Sequence, residues 1–199
     1  YTYSTAADGE YNDIVPTNAG THYVKATVEE TADYSGLESN AFEFVIKKKT
    51  LTNDNITDIA DQTYTGSEIT PTPTIKFGDV TLVKDKDYTL SYEDNVNAGK
   101  AKINVSFIGN YSGTATSSFD IIPDVLNQEK VSISETTAQT YTGSAITPTP
   151  TIKYGDVTLV KDKDYTLTYT DNINVGTAKV SITFIGNYSG TAATNFDII

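Results

Sequence analysis

The chain has 199 residues, with no cysteine, methionine or tryptophan, and a formal net charge of −12 at pH 7. Without cysteine it can form no disulfide, use no catalytic thiolate and bind no zinc through sulfur. All of its cations are lysines, and an acidic chain without arginine disfavours nucleic acid or an anionic membrane surface as a partner. No apolar run approaches the roughly 18 residues of a membrane span, so we expect no membrane insertion.

The first part of the chain, residues 1–46, matches the C-terminal half of a diverged repeat. The tripeptide at 18–20 recurs at 97–99, and the one at 34–36 recurs at 111–113. Because residue 1 falls within the pattern, we expect the missing strands upstream of it, in a longer chain.

His22 is the only histidine of the chain and immediately precedes a predicted strand. We interpret it as an ordinary exposed strand residue, in preference to a catalytic group or a metal ligand. The later repeats contain no histidine, so no Ser-His-Asp set can be assembled in them. We therefore predict that the chain is not an enzyme.

The rest of the chain contains one sequence twice: residues 64–122 (the first copy) recur as residues 141–199 (the second copy). The shift is a constant 77 residues, and 45 of 59 positions are identical. An enzyme with one active site gains little from such a duplication, whereas a spacer gains length and a multivalent binder gains avidity. The repeat predicts three domains, at 1–49, 50–122 and 123–199, with a short linker at 123–128.

The hydrophobic pattern of both copies has the period of β-strands. Residues 101, 103, 105 and 107 are apolar and alternate with polar ones, which is typical of a strand with one buried face. Phe107 and Phe184 are therefore predicted to lie in the core, and Lys102 and Lys179 to face solvent. Strands are predicted near 54–58, 62–66, 73–77, 80–83, 87–93, 100–107 and 114–122, and 77 residues later in the second copy.

Seven short strands per repeat and no helical segment predict an all-β fold. The expected architecture is a series of tandem immunoglobulin-like β-sandwich modules arranged head-to-tail. Pro71 and Pro73 are expected on an edge or in an extended entry segment, because proline cannot donate to a sheet. The segments 47–52 and 123–128 are short for linkers, so we expect limited freedom between modules and an elongated rod.

Two turns, at 84–87 and 108–113, are identical in the copies, whereas nine of the 14 differences lie between residues 91 and 106. Turns normally vary more than strands, and these two are expected at the same end of a module. The candidate ligand-binding or junction residues are Lys84, Asp85, Asp87, Asn110, Tyr111, Lys161, Asp162, Asp164, Asn187 and Tyr188. A ligand surface, a recent duplication or contacts with the preceding module would each explain the identity, and we favour the last two.

Acidic turns also raise the possibility of calcium. The candidate ligands are Asp85, Asp87, Asp94 and Asn95, with Asp162, Asp164, Asp171 and Asn172 as their counterparts. Their spacing is not that of an EF-hand, and Lys84 and Lys86 neutralise the acids locally. We interpret these residues as solvated turns and predict no metal and no cofactor.

Aromatic residues raise a second possibility, because they form platforms for sugars. Tyr88 and Tyr92 are in phase with Leu90, which favours the core. Tyr111 and Tyr188 lie in turns, where such a ring can pack inward as in the tyrosine corner of immunoglobulin domains. Residues 110–112 and 187–189 also match the short glycosylation sequon, which occurs often by chance.

The second copy carries a family resemblance in four segments: YTGSAITP at 141–148, KDYTLTY at 163–169, NVGTA at 174–178 and GNYSGT at 186–191. They resemble the bacterial Ig-like repeats of large secreted and cell-wall-anchored proteins, and residues 16–26 resemble the related MBG-type repeats. The resemblance implies an extracellular location at the bacterial cell surface or cell wall.

The same resemblance implies a non-catalytic stalk or spacer that contributes to adhesion and whose partners are neighbouring repeats. The alternative function is a module that binds host mucin or another glycan. A β-grasp-like repeat is the alternative fold, and the missing central helix argues against it.

Overall fold

The structure is a computed structural model that describes all 199 residues. It contains twenty short β-strands and one turn of 3-10 helix at Asn53–Asn55, with no α-helix. The all-β class expected from the two-residue periodicity is therefore confirmed. None of its helical structure has the length and apolarity that a membrane crossing requires.

The chain folds into two compact units, each assembled from three separate stretches. Unit 1 comprises Tyr1–Ile59, Thr72–Tyr92 and Ile103–Ser117. Unit 2 comprises Ala60–Pro71, Glu93–Lys102 and Ser118–Ile199.

Residues 1–46 contribute five strands, all in unit 1. A three-stranded antiparallel sheet has the order β1-β2-β5, and β3 pairs with β4. The strands are β1 (Thr2–Ser4), β2 (Gly20–Lys25), β3 (Thr27–Val28), β4 (Leu37–Glu38) and β5 (Phe42–Ile46).

The next eight strands belong to the first copy and the residues that lead into it. They are β6 (Lys49–Thr50), β7 (Gln62–Thr63), β8 (Lys76–Phe77), β9 (Val80–Thr81), β10 (Tyr88–Glu93), β11 (Gly99–Phe107), β12 (Tyr111–Ser112) and β13 (Thr114–Ile122). One sheet has the order β10-β11-β13-β7, and the pairs β8-β9 and β6-β12 complete the set. Strands β6 and β7 run parallel to β12 and β13 respectively.

The second copy and the residues before it form seven strands, all in unit 2. They are β14 (Asp124–Leu126), β15 (Val131–Ile133), β16 (Ile152–Tyr154), β17 (Val157–Thr158), β18 (Tyr165–Thr170), β19 (Gly176–Phe184) and β20 (Tyr188–Ile198). The main sheet has the order β14-β20-β19-β18, and a smaller one the order β15-β16-β17. Strand β14 runs parallel to β20, and the other pairs are antiparallel.

The strand predicted at 54–58 is wrong. That stretch holds the 3-10 turn and a single bridge from Ile56 to Ile75. The Asn55 side chain accepts a hydrogen bond from the Thr52 amide at 3.1 Å, and local side-chain bonds of this kind compete with strand pairing. The corresponding segment of the second copy, Val131–Ile133, does form a strand.

The interpretation of 47–52 and 123–128 as linkers is wrong as well, because each segment contains a strand. Strand β6 pairs with β12, and β14 pairs with β20. Leu51 directly follows β6, and Leu126 is the last residue of β14. Both leucines are buried. Burial of that apolar side chain fixes the segment on the module, and these stretches therefore belong to the folded body.

The alternating pattern places the core as predicted. Phe107 and Phe184 are buried, whereas Lys102 and Lys179 are exposed. In unit 2, Phe184 packs in a cluster with Leu126, Ile152, Tyr165, Ile182 and Tyr188, and a second cluster contains Ala178, Val180, Phe196 and Ile198. The members of both clusters that lie on β19 and β20 are all at even positions, so the period of two places them on one face of these strands.

Candidate site where successive repeats meet

The turn at 84–87 is organised by the carboxylate of Asp87. This carboxylate accepts a hydrogen bond from the Val83 amide at 2.8 Å, and that of Asp164 accepts one from Val160 at the same distance. Both aspartates are buried, which corrects their interpretation as solvated residues. Each carboxylate satisfies a backbone donor that the tight turn would otherwise leave unpaired.

The neighbouring candidates in this turn lie on its outer side. Lys84, Asp85, Lys161 and Asp162 are all exposed. Asp85 and Asp162 adopt a left-handed backbone with φ of 64°, a conformation that aspartate tolerates better than most residues. Their side chains therefore project from a turn whose shape Asp87 and Asp164 maintain.

In the turn at 94–99, a polar side chain likewise forms a hydrogen bond with a backbone group. The Asn95 side chain donates to the Ile69 carbonyl at 3.1 Å, and Asn172 donates to Ile146 at 2.9 Å. Asp94 and Asp171, the remaining residues considered for calcium, both have positive φ. Asn95 is buried, so its interpretation as a solvated turn residue is also wrong.

The two turns that are identical in the copies lie beside each other, as expected. The Ile108 amide donates to the Asp87 carbonyl at 2.9 Å, and Ile185 donates to Asp164 at 2.9 Å. Gly109 permits this approach, because it has φ of 65° and an added Cβ would lie 2.8 Å from the Lys86 carbonyl oxygen. A side chain at this position would separate the turns.

Asn110, at the tip of the second turn, binds the N-terminal segment within unit 1. Its Oδ1 accepts a hydrogen bond from the Ala19 amide at 2.7 Å, and its Nδ2 donates to Asn18 Oδ1 at 3.0 Å. Its carbonyl accepts from the Lys49 amide at 3.0 Å. One asparagine thus connects its own turn, strand β6 and the 18–20 turn of the preceding repeat.

Asn187 makes the same set of bonds within unit 2. Its Oδ1 accepts from the Ala98 amide at 2.7 Å, and its Nδ2 donates to Asn97 Oδ1 at 3.0 Å. Its carbonyl accepts from the Asp124 amide at 3.0 Å. We call this repeated arrangement the asparagine joint. N-glycosylation of segments 110–112 and 187–189 would modify Nδ2 of Asn110 and Asn187. In the asparagine joint, this atom already donates a hydrogen bond to the preceding repeat.

His22 supports the first joint and is not exposed as predicted. It is buried on β2, where its Nε2 donates to the Asn18 carbonyl at 2.8 Å and its ring packs against Phe44. The imidazole therefore fixes the turn that contacts Asn110. No sequence signal distinguished this role, because the other repeat has Ala101 at the matching position.

Tyr111 and Tyr188 follow the joint asparagines and both pack against other rings. Tyr111 is half-buried, with its ring centroid 6.2 Å from that of Phe77. Tyr188 is buried, with centroid distances of 5.5 Å to Tyr64 and 6.1 Å to Tyr154. The inward packing of Tyr188 is that of the expected corner, and the contacts of its ring are with the rings of Tyr64 and Tyr154.

Tyr188 makes the stability of unit 2 sensitive to alkaline pH. Burial, assisted by Tyr64, raises its pKa from 10.0 to about 12. The unfolded chain therefore loses this proton first, so the stabilising contribution is complete below pH 10 and declines as pH rises towards 12. Relative to Tyr188→Phe, the free energy of unfolding of the wild type should fall by about 2 kcal/mol over this range. Urea unfolding at pH 9 and at pH 12 measures the difference, and parallel pH profiles would contradict it.

Comparison with known proteins yields no family assignment. No protein-family model matches the chain, and a search of curated proteins found no match. The functional conclusion therefore depends on the repeat and on the geometry of the asparagine joint.

Proposed function

We propose that the chain is a non-catalytic repeat region of a bacterial extracellular surface protein. In this proposal, immunoglobulin-like modules are arranged head-to-tail and act as a stalk or spacer that contributes to adhesion. Neighbouring repeats of the same chain are the principal partners.

The observation that carries the proposal is the repetition of the asparagine joint. Asn110 and Asn187 make the same three hydrogen bonds to equivalent partners, with the same distances. A spacer transmits position only if each module holds a defined orientation to the next. The joint supplies such a constraint, and it also explains why these turns are unchanged while nearby strands differ.

A joint that sets orientation should loosen when its asparagine is removed. Asn187→Ala eliminates two side-chain hydrogen bonds, which contribute about 1–3 kcal/mol together. The chain has no cysteine, so spin labels can be placed cleanly at Lys102→Cys and Lys179→Cys. We expect a narrow distance distribution between the labels in the otherwise wild-type chain and a clearly broader one after Asn187→Ala.

The other joint provides the matched control for this experiment. Asn110→Ala removes the same bonds from the N-terminal segment and should leave the distribution between positions 102 and 179 unchanged. A broad distribution in the unmutated chain, or no change on Asn187→Ala, would argue against a stalk built on these joints.

The alternative function is recognition of host mucin or another polysaccharide, favoured by the ring cluster around Tyr188. A glycan array probed with the full chain separates the two. Reproducible, saturable binding to a defined glycan would support recognition and would show that the chain is more than a spacer.

A further inference from the structure

A cavity in unit 2 is lined by three tyrosines and one carboxylate. It has a volume of about 500 Å³, and its lining includes Tyr64, Tyr154, Tyr188 and Asp124. The rings of Tyr64 and Tyr154 stand nearly perpendicular to that of Tyr188, at 88° and 82°. Gly66 and Gly155 also border the cavity, and the absence of side chains there keeps it accessible.

The polar groups of the cavity lie close to one another. The Asp124 carboxylate beside Tyr154 raises the pKa of the Tyr154 hydroxyl, and burial raises the pKa of Tyr188. Lys130 approaches the same carboxylate, with Nζ 3.2 Å from Oδ1. Lys130 is itself 44% exposed, so a ligand ammonium would compete with it for the Asp124 carboxylate.

In the first copy, the position equivalent to Asp124 is occupied by Lys49. The backbone register is equivalent, because Lys49 pairs with Tyr111 as Asp124 pairs with Tyr188. There, the Lys49 ammonium lies over the ring of Phe77, 5.3 Å from its centroid. The chain thus supplies its own cation to the aromatic group in the first copy, and has a carboxylate in its place in the second.

We propose that the cavity formed by Tyr64, Tyr154, Tyr188 and Asp124 binds an organic ammonium group. Aromatic faces attract alkylammonium groups through their quadrupole, and a carboxylate adds a charge-assisted contact. The net charge of −12 raises the local concentration of cations. This site goes beyond the spacer function, and its ligand occupies the place beside Tyr154 that Lys49 takes beside Phe77 in the first copy.

The full chain should be titrated with choline and with butylammonium, as probes of the quaternary and the primary group, and followed by the tyrosine ring resonances. We expect saturable shifts with a dissociation constant on the order of 1 mM. 3,3-Dimethylbutan-1-ol, the neutral analogue of choline, is the matched ligand control and should bind at least about tenfold more weakly. Tighter binding of choline would assign a trimethylammonium headgroup as the source, and tighter binding of butylammonium a lysine side chain.

The first copy also provides the decisive variant. Asp124→Lys reproduces the residue found at the equivalent position, so it is expected to fold, to place its own ammonium over Tyr154 and to abolish binding. Asp124→Asn should weaken binding about tenfold by removing the charge, and Lys130→Gln should tighten it about threefold by removing a competitor. Equal binding of choline and its neutral analogue, unchanged binding by Asp124→Lys, or no saturable shift with either ammonium would overturn the proposal.

Discussion

Replacing Phe184 by alanine is expected to lower the free energy of unfolding of the second copy by about 3–5 kcal/mol. The ring is 3% exposed and belongs to the cluster that includes Leu126, Ile152 and Tyr188. Its removal loses the transfer free energy of the ring and leaves a cavity that the surrounding strands cannot fill completely. Hydrogen exchange of the amides in Gly176–Phe184 measures the change locally, and urea unfolding measures it for the chain.

Lys179 is the matched control on the same strand. It lies on the exposed side of β19, five residues before Phe184, so Lys179→Ala should change the stability by no more than about 0.5 kcal/mol. Comparable losses for the two substitutions would mean that the strand does not bury the face described here.

Gly190→Ala is expected to cost on the order of 3 kcal/mol, because it combines backbone strain with a steric clash. Gly190 has φ of +95°, and an added Cβ would collide with the carbonyl oxygen of Leu126. These two residues are partners in the parallel pairing of β14 with β20. The substitution should therefore detach β14 and accelerate hydrogen exchange at Asp124–Leu126 before the rest of unit 2 unfolds.

Gly155 is the matched control, because substitution there introduces the backbone strain without the steric clash. It has φ of +56°, but an added Cβ would meet nothing within 4 Å. Gly155→Ala should therefore cost only the left-handed strain, about 1–2 kcal/mol, and leave the exchange of β14 unchanged. If both glycine variants were equally stable, the close approach of β14 to β20 would not be the reason for glycine at 190.

The asparagine joint changes the interpretation of the two identical turns. The sequence left open whether 84–87 and 108–113 served a ligand, a junction or no common purpose. In the structure, Asn110 and Asn187 each bond to the tip of the preceding repeat. Asp87 and Asp164 shape the adjacent turn through a buried carboxylate. The joint asparagines and the buried aspartates thus have structural partners, whereas Lys84 and Asp85 lie exposed on the outer side of their turn.

The sequence by itself determined the all-β class and the core of the long strands. A period of two specifies which side chains share a face, so Phe107, Phe184, Lys102 and Lys179 could be placed without coordinates. It also identified the repeated turns, because a copied sequence shows directly which positions stayed the same. These are local or internal comparisons, and they require no knowledge of which segments meet in space.

Only the tertiary structure decided which segments come together. The sequence indicates linkers at β6 and β14 because each strand is only two or three residues long. Only their pairing with β12 and β20 identifies them as strands. Burial of His22 and the joining of Asn187 to Ala98 connect residues whose partners no local pattern specifies. The cavity beside Tyr188 depends on Tyr64, 124 positions away in the chain. Long-range contacts of this kind depend on the whole chain's packing, and periodicity reports only the face that a segment buries.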